Sequence, residues 1–187
     1  AGVATSLILL IVILKLLNNT IRLATYDTLT GAYNRASYLQ HMDSLIGDRQ
    51  HYPVGLMLVD LDNFKQVNDV YGHAAGDEIL IDVTTILKKM TAGSGYVVRF
   101  GGDEFAIVFK QATAQQLKQY GEALLEAMRE RKNAHEQNRW SNLSMSIGAT
   151  LQEESTEEEA RLFERADKAL YISKNNGKDS YTFLAPL

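Results

Sequence analysis

The sequence contains no cysteine, and this absence excludes several classes of site. Disulfide bonds and thiolate-bound metals are impossible, and a chain without cysteine suits a reducing compartment. Proline is also scarce, with two residues in 187, and no stretch rich in serine and glycine interrupts the chain. The sequence therefore predicts no flexible linker.

An excess of positive charge is missing as well. Lysine and arginine number 19 against 23 acidic residues, which gives a net charge of −4 without a dominant basic patch. A nucleic-acid polymer is therefore excluded as an expected partner. The chain is long enough for one domain with an N-terminal extension, and its 45% hydrophobic content is sufficient for a core.

The most informative segment is 99–105, which contains two glycines followed by two acidic residues. Apolar residues precede it at 96–98 and follow it at 105–109, which predicts a hairpin whose tip projects from a buried sheet. Asp103 and Glu104 then lie at that tip. An ordinary solvated acidic turn is the simpler interpretation of this segment taken alone.

A second acidic site follows the apolar run 54–59, where Asp60 and Asp62 stand at the predicted end of a buried strand. Carboxylates at such a strand end, beside an acidic hairpin, are suitable oxygen ligands for Mg²⁺. Two such ions would assist displacement at phosphorus. A strand end followed by a helix cap explains one of these aspartates comfortably and both of them poorly.

These motifs resemble the GGDEF-domain diguanylate cyclases, which condense two GTP molecules into cyclic di-GMP. The resemblance covers about residues 27 to 184, and five ordered blocks carry it with the spacing of the family. The blocks are 27–35, 60–65, 68–77, 101–105 and a last one formed by 165–171 with 174–178.

The resemblance implies a metal site for Mg²⁺ or Mn²⁺. Its expected ligands are Asp60, Asp103, Glu104 and the carbonyl of Leu61. Asp103 and Glu104 are the implied catalytic residues, with Asp103 close to the ribose 3′-hydroxyl and able to assist its deprotonation. An alkoxide formed on a metal without a dedicated base is the alternative.

The resemblance also implies a substrate site. Asp77 matches the position that accepts the adjacent N–H donors of guanine, and Asn68 matches its companion. Adenine presents an acceptor there, which disfavours ATP. Lys65, Lys174 and Lys178 match the cations that offset the triphosphate, together with backbone N–H groups near Phe64. A helix cap is the simpler interpretation of Asn68 or Asp77 without this spacing.

One segment departs from the family. The product-inhibition site of the family is an Arg-x-x-Asp segment upstream of the signature, whereas this chain has Ala92, Gly93, Ser94 and Gly95. Neither a guanidinium nor a carboxylate is available there. Feedback through that site is therefore expected to be absent.

Hydrophobic periodicity predicts an α+β fold with a mostly antiparallel sheet flanked by helices. The resemblance implies the same polymerase-palm-like, ferredoxin-related architecture. Helices are predicted to about residue 23 and over about 34–46, 64–70, 76–90, 114–132 and 157–175. Strands are predicted at 54–60, through a hairpin at 95–110, at 143–149 and at 181–183.

Residues 1–25 are expected to form an N-terminal apolar helix, and residues 26–187 the cyclase domain. A heptad seam runs through Val3, Leu7, Leu10, Leu14, Leu17, Ile21 and Ala24. Yet residues 7–14 are apolar on every face, which indicates lipid. The end of a transmembrane helix, at the cytoplasmic face of a bacterial inner membrane, is the first interpretation. A dimerisation stalk on a cytoplasmic protein is the rival.

The reaction implied by the resemblance joins two GTP molecules held by two subunits, so a homodimer is expected. A non-catalytic GGDEF-like module that binds GTP or a partner is the alternative. A cyclase that makes a one-nucleotide ring is a third interpretation. Two roles remain open for Arg99, which either reaches substrate across the dimer or pairs with a nearby acid.

Overall fold

The structure, a computed structural model, describes residues 2–46, 48–91, 93–134, 139–152 and 157–186. Six helices and six strands follow one another in these residues. Their order is α1 (Gly2–Thr25), β1 (Tyr33–Asn34), α2 (Arg35–Ile46), β2 (Val54–Asp62), α3 (Phe64–Tyr71), α4 (His73–Met90), β3 (Gly95–Gly101), β4 (Glu104–Phe109), α5 (Ala114–Asn133), β5 (Ser144–Gln152), α6 (Glu159–Asn175) and β6 (Tyr181–Leu184). A short 3₁₀ helix, Arg49–His51, precedes β2.

The strands form one mixed sheet in the order β1-β3-β4-β2-β5-β6. The three inner pairings are antiparallel, and the pairings of β1 with β3 and β5 with β6 are parallel. The predicted α+β class with a mostly antiparallel sheet is therefore confirmed. The two-residue strand β1 was not predicted, because so short a segment carries no periodic signal.

Hydrophobic side chains cover both faces of the sheet. On one face, Met57, Val59 and Leu61 of β2 belong to a core that includes residues of α3, α4 and α5. On the other, Val54, Leu56 and Leu58 belong to a core with residues of α2 and α6. Alternation along a strand produces this division. A strand buried on both sides reads as a continuous apolar run, which is why β2 was recognisable.

Two boundaries differ from the prediction for identifiable reasons. Helix α4 begins at His73 rather than near 76, because Gly72 has a φ of 84° and separates it from α3. Asp77 therefore lies inside α4 and is not its N-cap. Strand β5 extends to Gln152 because it pairs with β2 along the whole of that strand.

Helix α1 exposes its apolar side chains. The large hydrophobic residues from Leu7 to Leu23 are between 44% and 62% exposed. The most apolar 18-residue window within Thr5–Thr25 has a mean hydropathy of 1.9, so this helix is long and apolar enough to cross a membrane by length and composition. Its last residues meet the domain through Asn34, whose amide donates to the Ala24 carbonyl at 2.9 Å.

Candidate active site

The end of β2 and the β3–β4 turn bring two aspartates together. Asp60 pairs in register with Glu104, and the Leu61 N–H donates to the Asp103 carbonyl at 3.3 Å. This bond holds the tip of the hairpin beside the last residues of β2. The two predicted acidic motifs, 43 positions apart in the sequence, thus form one site.

The electrostatics of this site favour a cation. Burial raises the pKa of Asp103, and the negative charge of Asp60 raises it further, while a hydrogen bond from its own backbone N–H and the charges of Lys174 and Arg99 act in the opposite direction. The Lys174 ammonium lies 2.7 Å from the Asp60 carboxylate. A positive group is therefore already drawn to the paired carboxylates.

The donor set suits a hard divalent cation that retains other ligands. Within the described ranges, no three acidic or histidine side chains are grouped as a metal site. Mg²⁺ commonly binds through one or two carboxylates together with water and substrate phosphates, so Asp60 and Asp103 suffice as the protein contribution. Glu104 is exposed and lines a cavity between α2 and α6.

Asp62 has a different role from Asp60. It is only 2% exposed, and its carboxylate accepts hydrogen bonds from the hydroxyls of Ser144 (2.7 Å) and Ser146 (2.8 Å) and from the Asp179 N–H (3.2 Å). A buried carboxylate needs such donors. Asp62 therefore joins β2, β5 and the segment before β6. Asp62 is thus the one aspartate of the pair that a structural role explains, although its carboxylate bonds to β5 and to the segment before β6 and does not cap α3.

The predicted base-recognition residues lie on α3 and α4. Asn68 is half-buried on α3, and Asp77 is exposed on α4 immediately after Gly76. A Cβ atom at Gly76 would lie 2.0 Å from Asn68 Oδ1 and 3.1 Å from the Phe64 ring. The absence of a side chain at Gly76 therefore leaves room for the Asn68 amide against the backbone of α4, one residue before Asp77.

Gly76→Ala tests this arrangement. We expect the new methyl group to displace the Asn68 amide, which has no room to keep its position. The KM for GTP, the substrate that the resemblance implies, should rise about tenfold with a smaller change in kcat, because the loss of one well-placed hydrogen bond corresponds to roughly 1–1.5 kcal/mol. Steady-state kinetics measures both constants. An unchanged KM would contradict the assignment, and Ala75→Gly on the same helix is the matched control.

The predicted phosphate-binding cations surround the start of α3. Lys65 is exposed in the first turn of that helix, directly after the buried Phe64. Lys178 donates to Asn63 Oδ1 at 2.9 Å. Lys174 reaches the same end of the sheet from α6 through its ion pair with Asp60. Lys178 and the N-terminal N–H groups of α3 thus offer positive charge to an anion at the start of that helix, and Lys174 lies beside Asp60.

Arg99 pairs with a nearby acid in this structure, which is the second of its two open roles. Its guanidinium donates to the Asp27 carboxylate at 2.9 Å and twice to the Gly102 carbonyl, at 3.0 and 2.8 Å. Burial opposes ionisation of Asp27, but hydrogen bonds from Thr30 and Arg99 outweigh it and lower the pKa. Arg99 therefore ties the hairpin tip to the chain just after α1.

Comparisons with known proteins agree with the motifs. The family described as "Diguanylate cyclase, GGDEF domain" matches residues 24–180. Diguanylate cyclase DgcS of Shewanella oneidensis is 35% identical over 160 residues, which are 84% of this chain and 52% of that protein. Diguanylate cyclase A of Treponema denticola is 34% identical over 129 residues, 69% of this chain and 34% of that protein. The chain spans about half or less of these relatives.

Solved structures share the fold. The coiled coil and GGDEF domain of DgcB from Caulobacter crescentus, determined in complex with c-di-GMP, has a TM-score of 0.84 at 27% identity, and the match covers 98% of both chains. SiaD of Pseudomonas aeruginosa, determined with its activator SiaC, has a TM-score of 0.75 at 25% identity, covering 98% of this chain and 71% of that one. The chain belongs to the GGDEF-domain family of diguanylate cyclases.

Proposed function

We propose that this chain condenses two GTP molecules into cyclic di-GMP. The observation that carries the proposal is the meeting of Asp60 and Asp103 beside three lysines and the start of a helix. Such a site can hold a triphosphate and its metal ions together. The family and the named relatives support GTP as the nucleotide.

Each residue has a task that follows from its chemistry. Asp77 accepts from the guanine N–H groups, and Asn68 completes the contact with the base edge. Lys65, Lys174 and Lys178 neutralise the phosphates. Asp60, Asp103, the Leu61 carbonyl and Glu104 would hold Mg²⁺ or Mn²⁺. When bound, the ions supply charge neutralisation and lower the pKa of the ribose hydroxyl.

The reaction requires two subunits. Each ribose 3′-oxygen attacks the α-phosphorus of the GTP held by the other subunit, and the bond between the α-phosphorus and the β-phosphate bridging oxygen breaks. Each 3′-hydroxyl proton passes to Asp103 or to water, and two pyrophosphates leave. Because one chain holds one GTP, catalysis depends on a homodimer with facing sites.

Helix α1 has two candidate roles, a membrane tether and a paired stalk. Its exposed apolar surface supports a tether at the cytoplasmic face of a bacterial membrane. Uncharacterised membrane proteins of Staphylococcus aureus are among the relatives, one of them 30% identical over 162 residues, 84% of this chain and 45% of that protein. The heptad seam and the coiled coil in the DgcB structure support a paired stalk. Fractionation of cells expressing the full chain distinguishes the tether from the stalk. Recovery of the protein in the cytosolic fraction would contradict the membrane tether.

A product assay tests the proposed activity. The purified chain is incubated with GTP and Mg²⁺, and the products are identified by mass spectrometry. We expect cyclic di-GMP and pyrophosphate. GTP binding without turnover would instead support the non-catalytic module, and cyclic GMP would support a one-nucleotide cyclase.

Product feedback through the Arg-x-x-Asp site is expected to be absent. Gly93 and Ser94 are exposed between α4 and β3, whereas Ala92 lies outside the described residues. No side chain at 92–95 offers the charges that would bind a cyclic di-GMP dimer. Initial rates measured against added product should therefore show no noncompetitive inhibition. Submicromolar binding that is lost on replacing this segment would contradict the prediction.

A further inference from the structure

The turn between α6 and β6 has an unusual backbone. Gly177, Lys178 and Asp179 have φ values of 106°, 65° and 45°. Only glycine adopts such values without cost, so the conformation at Lys178 and Asp179 requires support from its surroundings. Strained residues of this kind concentrate at functional sites, which directs attention to what the turn positions.

Asp179 fixes the turn through hydrogen bonds with two other elements, α5 and β2. Arg129 of α5 donates through Nε to Asp179 Oδ2 at 2.9 Å and through Nη2 to the Asp179 carbonyl at 3.0 Å. The Asp179 N–H donates to the buried Asp62 at 3.2 Å. Asp179 Oδ1 is buried and has no hydrogen-bond partner in the described part of the chain. The Asp179 carboxylate is therefore strongly dependent on Arg129.

The turn delivers one lysine to the proposed phosphate site. Lys178 Nζ donates to Asn63 Oδ1 at 2.9 Å, and Asn63 Nδ2 donates to the Asn142 carbonyl at 3.0 Å. Asn63 immediately precedes α3, whose first-turn N–H groups favour an anion. The ammonium of Lys178 thus lies at the N-terminal start of α3, where a phosphate would bind.

We infer that Arg129 is a positioning residue for triphosphate binding. By holding Asp179 it fixes the strained turn, and the turn places Lys178 at the start of α3. Arg129 contacts no substrate in this scheme and acts only through Asp179 and Lys178. The inference deepens the proposed function and depends on it for the nucleotide.

Binding measurements on Arg129→Ala, Lys178→Ala and the double variant test the inference. The probe is the α,β-methylene analogue of GTP with Mg²⁺, titrated by calorimetry into the full chain. Each single variant should bind it about threefold to tenfold more weakly. The double variant should lose no more than Lys178→Ala alone, because both changes disable one contact. Affinity for guanosine, followed by NMR, should not change.

Lys118→Ala provides the matched control, since Lys118 lies on the same helix and, among the described residues, its ion pair is with Glu122 at 3.8 Å. Multiplicative losses in the double variant, an unchanged affinity in Arg129→Ala, or an equal loss for guanosine would each overturn the inference. A chain that binds the analogue with these effects but makes no cyclic product would remove the catalytic proposal alone. A chain that does not bind the analogue would overturn both.

Discussion

Asp103→Asn and Asp60→Asn are each expected to abolish cyclic di-GMP synthesis while the domain remains folded. Both carboxylates stand at one end of the sheet, where Lys174 already pairs with Asp60. Removing either charge takes away a proposed ligand of the metal ions. We expect kcat to fall by at least about 10³-fold, which corresponds to roughly 4 kcal/mol of lost transition-state stabilisation.

The same change at Asp103 should make the metal-free protein more stable at neutral pH. Burial, followed by the charge of Asp60, raises the pKa of Asp103 above its usual value of 3.8. A raised pKa in the folded state means that the contribution of this group is favourable below the unfolded pKa and is lost as the pH rises through the folded pKa. Asparagine does not ionise and so avoids this loss of stability. The Tm of Asp103→Asn should therefore exceed that of the wild type at pH 7, and the difference should vanish in acid.

Activity assays and thermal melts of both variants check these expectations. Asp43→Asn is the control, because Asp43 is exposed on α2. Circular dichroism establishes that each variant is folded before its rate is measured. Appreciable synthesis by either folded variant would remove the metal-ligand assignment.

Asp77→Ala is expected to cause the second largest effect, a loss of guanine selectivity. Its carboxylate is the proposed acceptor for the guanine N1–H and exocyclic amine. A site built around such hydrogen bonds discriminates strongly, and losing a charged acceptor should lower kcat/KM for GTP by about 10²- to 10³-fold. ITP lacks the exocyclic amine, so the ratio of kcat/KM for GTP to that for ITP should approach one in the variant.

Kinetics with GTP, ITP and ATP measures this loss. Glu78→Gln is the matched control because Glu78 is the adjacent exposed acid on α4 and pairs with Arg139 at the surface. A surface ion pair contributes little, so selectivity should be unchanged in that variant. If Asp77→Ala kept the preference for GTP over ITP, the base would have to bind elsewhere.

Sequence periodicity was sufficient to predict the long elements but not the contacts between them. Strand β2 was evident because nine consecutive residues are largely apolar. The role of Asp62 depends on Ser144, 82 positions away, and that of Arg99 depends on Asp27, 72 positions away. Ser144 and Ser146 alternate along β5, and two hydroxyl donors on one face of a buried strand indicate a polar acceptor nearby. Local pattern alone does not identify which acceptor they serve.

Loop conformation was equally hidden. The sequence does not predict positive φ values at the three successive residues Gly177, Lys178 and Asp179, because lysine rarely adopts such a conformation. The conformation arises from hydrogen bonds with α5 and β2, which are distant in sequence. Motif spacing therefore predicted a set of candidate site residues, and tertiary contacts determine how those residues are held.

The most direct test is a crystal structure of the chain with Mn²⁺ and the α,β-methylene analogue of GTP. Anomalous scattering locates the ions independently of the nucleotide. We predict that the ions lie on Asp60 and Asp103, with guanine beside Asp77 and the phosphates at the start of α3. Ions and nucleotide bound at another part of the fold would contradict the account.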